Sequence, residues 1–294
     1  MQLSAVADLD RLSDAADSPS SVFDDRECAR ANGTLRAVIR ETLNAARKDG
    51  AQTEIAFAVL SAEDESTYPL LPEEAQQLSP RACPKKHAER TLGRVAARLA
   101  LAQLGFGGSV PVLSGDYGEP LWPDGIAGSI THCWPWSVAA VAKSPGKRLI
   151  GIDLESVARA RSVDISEVIC RKRELDWIRS GSDFYGALAM LFSAKEAVYK
   201  AFHPLCKRYI DFQEVELAWS SARACFEGEF HPPAESDLLE LHSFEVHCRR
   251  QGDLIFSLCD LSRELNSGSS QVLGRIHFPT INSAESGVSP EKNT

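Results

Sequence analysis

FSAKEAVYK, residues 192–200, reads as a stretch of helix carrying charge where a core is wanted. Phe192, Ala194, Ala197, Val198 and Tyr199 call for burial; Lys195, Glu196 and Lys200 do not. Glu196 and Lys200 stand four residues apart and so share a helix face. Taken alone, that pair reads as a surface ion pair contributing a few tenths of a kcal/mol. Its surroundings change the reading. The stretch lies within FYGALAMLFSAKEAVYKAFHPL, 184–205, which predicts one long helix ending near Pro204. Upstream, ISEVICRKRELDWIRS predicts another helix, and RLIGIDLES, 148–156, predicts a strand that is apolar until Asp153 and Glu155.

On a strand those two carboxylates point to the same side, about 7 Å apart. They repel each other unless they are exposed or share a cation, and hard oxygen donors of this kind suit Mg²⁺. A strand followed by two helices can fold Glu196 back over Asp153 and Glu155. Three acids, one divalent ion and Lys200 beside them form a site for phosphoryl chemistry. His132, in SITH just before the predicted strand SVAAVAKS, becomes a donor and counter-charge when protonated beside a phosphate.

The first half of the chain mirrors this order. TEIAFAVL, 53–60, predicts a strand, and KKHAERTLGRVAARLALAQLG, 85–105, a helix with an apolar stripe through Leu92, Val95, Ala96 and Leu99. Its other face carries Lys86, Arg90, Arg94 and Arg98 at a spacing of four, which repel one another unless an anion lies against them. Residues 76–210 hold nineteen bases and twelve acids, within a chain of 294 residues and net charge −9. The basic middle fits a phosphate-bearing ligand or an acidic partner, or simply scattered solvated lysines and arginines, and the overall acidity speaks against nucleic acid. CRKREL, with Lys207 and Arg208, is a surface such a partner could meet, or a plain solvated helix start. After residue 210, QEVELAW, ARACFEGEF, SFEVHCR and DLIFSLCDL predict strands. The eight cysteines lie no closer than eleven residues apart and include no CxxC, which speaks against a cysteine-zinc site. No apolar run reaches the length of a membrane span, and the acidic, Ser-rich N-terminus does not read as a secretion signal. The expectation is a cytoplasmic chain with reduced thiols. Residues 1–25 and the last thirty read as flexible.

GIDLE at 151–155 followed by FSAKEAVYK, and preceded by GEPLWPDGIAGSITH and GRVAAR, resembles the 4′-phosphopantetheinyl transferases of the enterobactin and mycobacterial type. The resemblance spans roughly residues 80–215. It implies an α+β fold of two similar halves related by a pseudo-twofold, with the active site in the cleft between them. The boundaries expected are an N-terminal extension over 1–50, a first half over 51–150 that binds coenzyme A, a second half over 151–265 with the metal site, and a tail over 266–294. It implies Mg²⁺, with Mn²⁺ as the alternative, held by Asp153, Glu155 and Glu196. The catalytic residues would be Glu196 as base for a carrier serine, Lys200 and Asp153. Lys86, Arg94, Arg98, His132 and Lys195 would hold coenzyme A. The reaction implied is transfer of the phosphopantetheine arm to an apo acyl or peptidyl carrier protein of fatty acid, polyketide or peptide synthesis, by a monomer. Two other readings fit the same acids: a Mg²⁺-dependent phosphohydrolase, and a degenerate scaffold that only binds coenzyme A or a carrier. The chain departs from the pattern at Arg90, where many relatives have an aromatic, and at Glu119, where another branch has a lysine.

Overall fold

A computed structural model describes residues 25–46, 55–144, 148–231 and 243–261. The expectations for residues 1–24 and for the tail beyond 261 lie outside the described residues. The chain opens with helix α1 (Asp25–Ala46), strand β1 (Ile55–Ser61), a short helix α2 (Pro72–Ala75) and the long helix α3 (Pro84–Gln103). A small hairpin follows, β2 (Leu113–Ser114) and β3 (Pro120–Leu121), and then the hairpin β4 (Ile126–Cys133) and β5 (Trp136–Lys143). Strand β6 (Leu149–Ser156) leads to α4 (Val157–Ser162), α5 (Ser166–Ile169), α6 (Lys172–Ser180) and the long α7 (Phe184–Cys206). Four strands complete the described chain: β7 (Val215–Ser220), β8 (Cys225–Phe230), β9 (Phe244–Gln251) and β10 (Leu254–Leu261).

The fold is α+β, and its two halves repeat one plan. In the first, a strand, a long helix and a hairpin give an antiparallel sheet of order β1-β5-β4, covered by α3. In the second, β6, α7 and the β9–β10 hairpin give the same order, β6-β10-β9, covered by α7 and extended by β8 and β7. Each half has its own apolar core under its helix, one around Leu92, Ala96, Leu101 and Val141, the other around Leu191, Val198, Phe202 and Phe226. A third cluster joins Val138 and Ala140 of one sheet to Ile152, Leu154 and Phe256 of the other.

Glycine decides how closely the helices approach. A Cβ on Gly151 would lie 1.9 Å from the Ala197 carbonyl oxygen and 2.5 Å from the Ala201 amide. Only a glycine lets α7 lie backbone against β6, and that contact carries Glu196 and Lys200 over Asp153. Gly93 plays the parallel part in α3, where a Cβ would meet Ile130 of β4 at 3.0 Å.

Three local readings change. SITH, left without an element of its own ahead of SVAAVAKS, is itself strand, within β4. The single helix expected over 165–180 is broken at Cys170–Arg171, both extended. Arg171 leaves the helical path to reach the Gln213 carbonyl at 2.6 Å and the Glu216 carboxylate at 3.1 Å, and its amide is capped by Glu174 at 2.6 Å. The long helix runs two residues past Pro204 and ends at Lys207 in the left-handed region. Helix α1, to which the sequence reading gave no role, buries Leu35, Val38, Ile39 and Leu43 at i, i+3, i+4 spacing in the cluster that joins the two sheets.

Candidate active site

The two sheets meet edge to edge at β4 and β6 through side-chain hydroxyls. Ser129 Oγ accepts from the Ile152 N–H at 3.1 Å, and Thr131 Oγ1 accepts from the Leu154 N–H at 3.1 Å. Just beyond this seam opens a cleft of about 480 Å³ whose walls include His132 from β4, Asp153 and Glu155 from β6, and Glu196 and Lys200 from α7. Asp153 and Glu155 share one side of their strand, as alternation requires. Lys200 Nζ lies 2.6 Å from Asp153 Oδ1 and 3.2 Å from Thr131 Oγ1. Arg159, one turn into α4, approaches Glu155 at 3.5 Å.

The electrostatics follow from that crowding. Burial works against the Lys200 ammonium, but Asp153, Glu196 and Glu155 outweigh it and lift its pKa above the ordinary lysine value. One ammonium is thus the common counter-ion of all three acids. Burial pushes Glu155 up to about 7, against the pull of Arg159 and the Ser156 N–H and with help from Asp153. Burial also raises Tyr209 to about 12, with Asp211 and Glu196 adding to the effect. Among the described residues no three His, Cys, Asp or Glu side chains are arranged to hold a metal ion. The three acids line one cleft, with Lys200 beside Asp153 and Arg159 beside Glu155.

A second pocket, of about 350 Å³, adjoins the cleft at His132 and is lined by Lys86, Glu89, Arg90 and Arg94. Arg90 and Arg94 both donate to Ser114 Oγ, at 2.5 and 2.6 Å. Among the described residues the other terminal nitrogen of Arg94, Nη1, is buried with no hydrogen-bond partner. Burial and the neighbouring Arg90 lower the Arg94 guanidinium to about 10, partly offset by Glu74. A buried cationic donor left unpaired costs stability. Desolvation in the cleft mouth, then the cations Lys200, Arg159, Lys85 and Lys86, hold the His132 imidazole down at about 4. Since 54% of that side chain is open to solvent, the surrounding cations are the firmer part of the push.

Two families match the chain in succession. The 4′-phosphopantetheinyl transferase N-terminal domain family matches residues 73–142, and the 4′-phosphopantetheinyl transferase superfamily matches residues 149–259. The chain is 34% identical to 4′-phosphopantetheinyl transferase PptT of Mycobacterium tuberculosis over 60% of its own length and 77% of that protein. It belongs to the 4′-phosphopantetheinyl transferases. Svp of Streptomyces mobaraensis, of the same activity, is 38% identical over 57% of this chain and 68% of that one. A solved holo-[acyl-carrier-protein] synthase from Thermotoga maritima overlaps 40% of this chain and 64% of its own at 19% identity, with a TM-score of 0.32.

In this transferase two expected ligand residues turn inward. Lys195 was expected to hold coenzyme A. Its ammonium is 2% exposed and surrounded by the Glu174 carboxylate at 2.7 Å and the carbonyls of Ile169, Phe212 and Val215 at 2.7, 2.9 and 2.9 Å. Three protons and four acceptors leave nothing for a ligand. Arg98 was expected on the phosphates. It pairs instead with buried Glu74 and with the Pro69 carbonyl at 2.7 Å, pinning the loop before α3. The basic stripe is therefore split: Arg98 is structural, while Lys86, Arg90 and Arg94 face the pocket. Glu119 does not face a phosphate either; its carboxylate accepts from the Tyr117 N–H at 3.0 Å within its own hairpin. Sequence reasoning missed Ser114, Thr131, Arg159 and Glu74. Only Thr131 left a signal, the alternation of hydroxyls in SIT on a strand edge.

Proposed function

We infer that this protein transfers the 4′-phosphopantetheine arm of coenzyme A to a serine of an apo acyl or peptidyl carrier protein, giving holo-carrier and 3′,5′-ADP. The observation that carries the reading is the join at His132 between a basic pocket with an unpaired Arg94 nitrogen and a cleft with three acids around one ammonium. The first suits the phosphates of the nucleotide end, the second the reacting pyrophosphate.

The donor set fits a hard divalent cation. Asp153 and Glu155 supply oxygens from one strand face, Glu196 a third across the cleft, and such a cation commonly takes few protein ligands. Mg²⁺, or Mn²⁺, bound there offsets charge on the departing nucleotide. The chain's own groups do the rest. Arg94, Lys86 and His132 orient the nucleotide. Glu196 takes the proton of the carrier serine, whose oxygen bonds to the phosphorus bearing pantetheine. The bond from that phosphorus to the bridging oxygen breaks, and the electron pair leaves on 3′,5′-ADP. Lys200 meets the negative charge that develops. Both cleft walls come from one chain, which supports a monomer. Among the described residues no helix is long and apolar enough to cross a membrane.

Incubation with coenzyme A, Mg²⁺ and an apo-carrier should raise the carrier's mass by about 340 Da, the mass of the transferred arm. No gain on several carriers refutes the reading. Tight coenzyme A binding without transfer supports a scaffold, and release of free phosphate a phosphohydrolase.

A further inference from the structure

The hydroxyl of Thr131 makes three hydrogen bonds. It donates to Asp153 Oδ1 at 3.0 Å, accepts from Lys200 Nζ at 3.2 Å and accepts from the Leu154 N–H at 3.1 Å. A hydroxyl has one proton and two lone pairs, so the group is saturated and its orientation fixed. The side chain is 1% exposed, which keeps water from competing for those bonds. Lys200 also reaches Asp153 Oδ1, at 2.6 Å. Both bonds to the carboxylate fall on one oxygen, so Oδ2 keeps its lone pairs for whatever enters the cleft.

Each of the three partners has a different origin. Thr131 belongs to β4 of the first sheet, Asp153 and Leu154 to β6 of the second, and Lys200 to α7. We propose that Thr131 is a positioning residue: it holds the Asp153 carboxylate and the Lys200 ammonium in register across the seam between the halves, and so sets the charge geometry that meets the reacting phosphate. The inference rests on the reading of this cleft as the transfer site. Without the hydroxyl, Lys200 keeps a single short contact, the Asp153 carboxylate is free to turn about its χ2, and a buried N–H at Leu154 loses its acceptor.

The test uses the full chain in three forms: parent, Thr131→Val, which keeps the shape, and Thr131→Ser, which keeps the hydroxyl. Each is treated briefly with acetic anhydride, and lysine acetylation is mapped by mass spectrometry. Lys195 is the internal control for an intact fold. We expect Lys200 in Thr131→Val to be acetylated roughly ten-fold faster than in the parent, as loss of a charge-assisted bond implies. Lys195 should stay protected, and Thr131→Ser should match the parent within about two-fold. Unchanged Lys200 labelling in Thr131→Val overturns the proposal. If Lys195 also becomes reactive in Thr131→Val, the serine variant decides: restored protection of Lys200 supports the role, and labelling at the valine rate overturns it. A carrier mass-shift assay on the same samples separates the two readings. Should the parent transfer nothing while Lys200 protection follows the hydroxyl, the positioning role stands and the transferase reaction falls.

Discussion

Replacing Lys195 by methionine keeps the length of the stem and removes only the ammonium. In the native protein that ammonium binds Glu174 at 2.7 Å and three backbone carbonyls, and both charged partners are buried. Burial pulls Lys195 down and Glu174 up, so the pair is stable only because each satisfies the other. Glu174 keeps the N–H groups of Arg171 and Leu217, at 2.6 and 2.7 Å, but loses its counter-charge. Removing one partner of such a pair costs about 3–5 kcal/mol. For a chain whose whole stability is of order 10 kcal/mol, that is a drop of roughly 10 °C in the thermal midpoint. Urea unfolding followed by tryptophan fluorescence measures it, since Trp177 and Trp219 pack on this region. A companion Glu174→Gln change in the same chain should recover at least about 1 kcal/mol, because no charge is then left alone. Calorimetric titration of the folded variant with coenzyme A should give affinity within about three-fold of the parent. A variant as stable as the parent to within about 1 kcal/mol, yet ten-fold weaker for coenzyme A, would refute the structural assignment of Lys195.

Arg94 and Arg98 should separate in the same way. Arg98→Gln leaves buried Glu74 uncompensated and should cost about 2–4 kcal/mol with little change in KM for coenzyme A, while Arg94→Gln should raise that KM by about ten-fold or more. Protonation of Glu155 gives a pH signature. Its folded pKa of about 7 lies above its ordinary 4.5, so the folded state holds the extra proton between those values and stability contributed by that proton is lost as pH rises through 7. His132, held down at about 4, acts oppositely below its ordinary 6.5. The metal-free stability difference between the parent and Glu155→Gln isolates the first effect and should shift by about 3 kcal/mol from pH 5 to 8 against the parent. A flat difference refutes it. Finally, Ile39→Ala in α1 opens a cavity in the cluster joining the sheets and should cost about 3 kcal/mol by urea unfolding while leaving kcat of the folded protein unchanged.

Much of the fold was legible because periodicity reports burial, and the two strand–helix units repeat it. The cleft acids were legible through the pairing of GIDLE with FSAKEAVYK some forty residues on, since carboxylates on an apolar strand or helix also read as an exposed strand end or a surface ion pair. What escaped the sequence was direction. Lys195 and Lys200 stand five residues apart on one helix, yet one points into the core and the other into the cleft, and only the position of Glu174 tells them apart. Arg94 and Arg98 share a face of α3 and are equally buried, but Glu74 of α2 pairs with Arg98. Partners that arrive from distant segments leave no local pattern. Helix α1 was not legible as a structural brace, because amphipathicity does not say which surface receives the apolar face.

The charges are divided between the halves, and that division makes the seam part of the chemistry. The first half contributes the cations Lys86, Arg90 and Arg94, and the second the acids Asp153, Glu155 and Glu196. Neither set alone can grip a ligand that is anionic at one end and reacts beside carboxylates at the other. What aligns them is two hydroxyls, Ser129 and Thr131, bonded to the amides of Ile152 and Leu154. A hydroxyl at position 131 closes the seam and touches Asp153 and Lys200 with the same atom. Loosening the seam therefore disorders the site without removing any charged group from it.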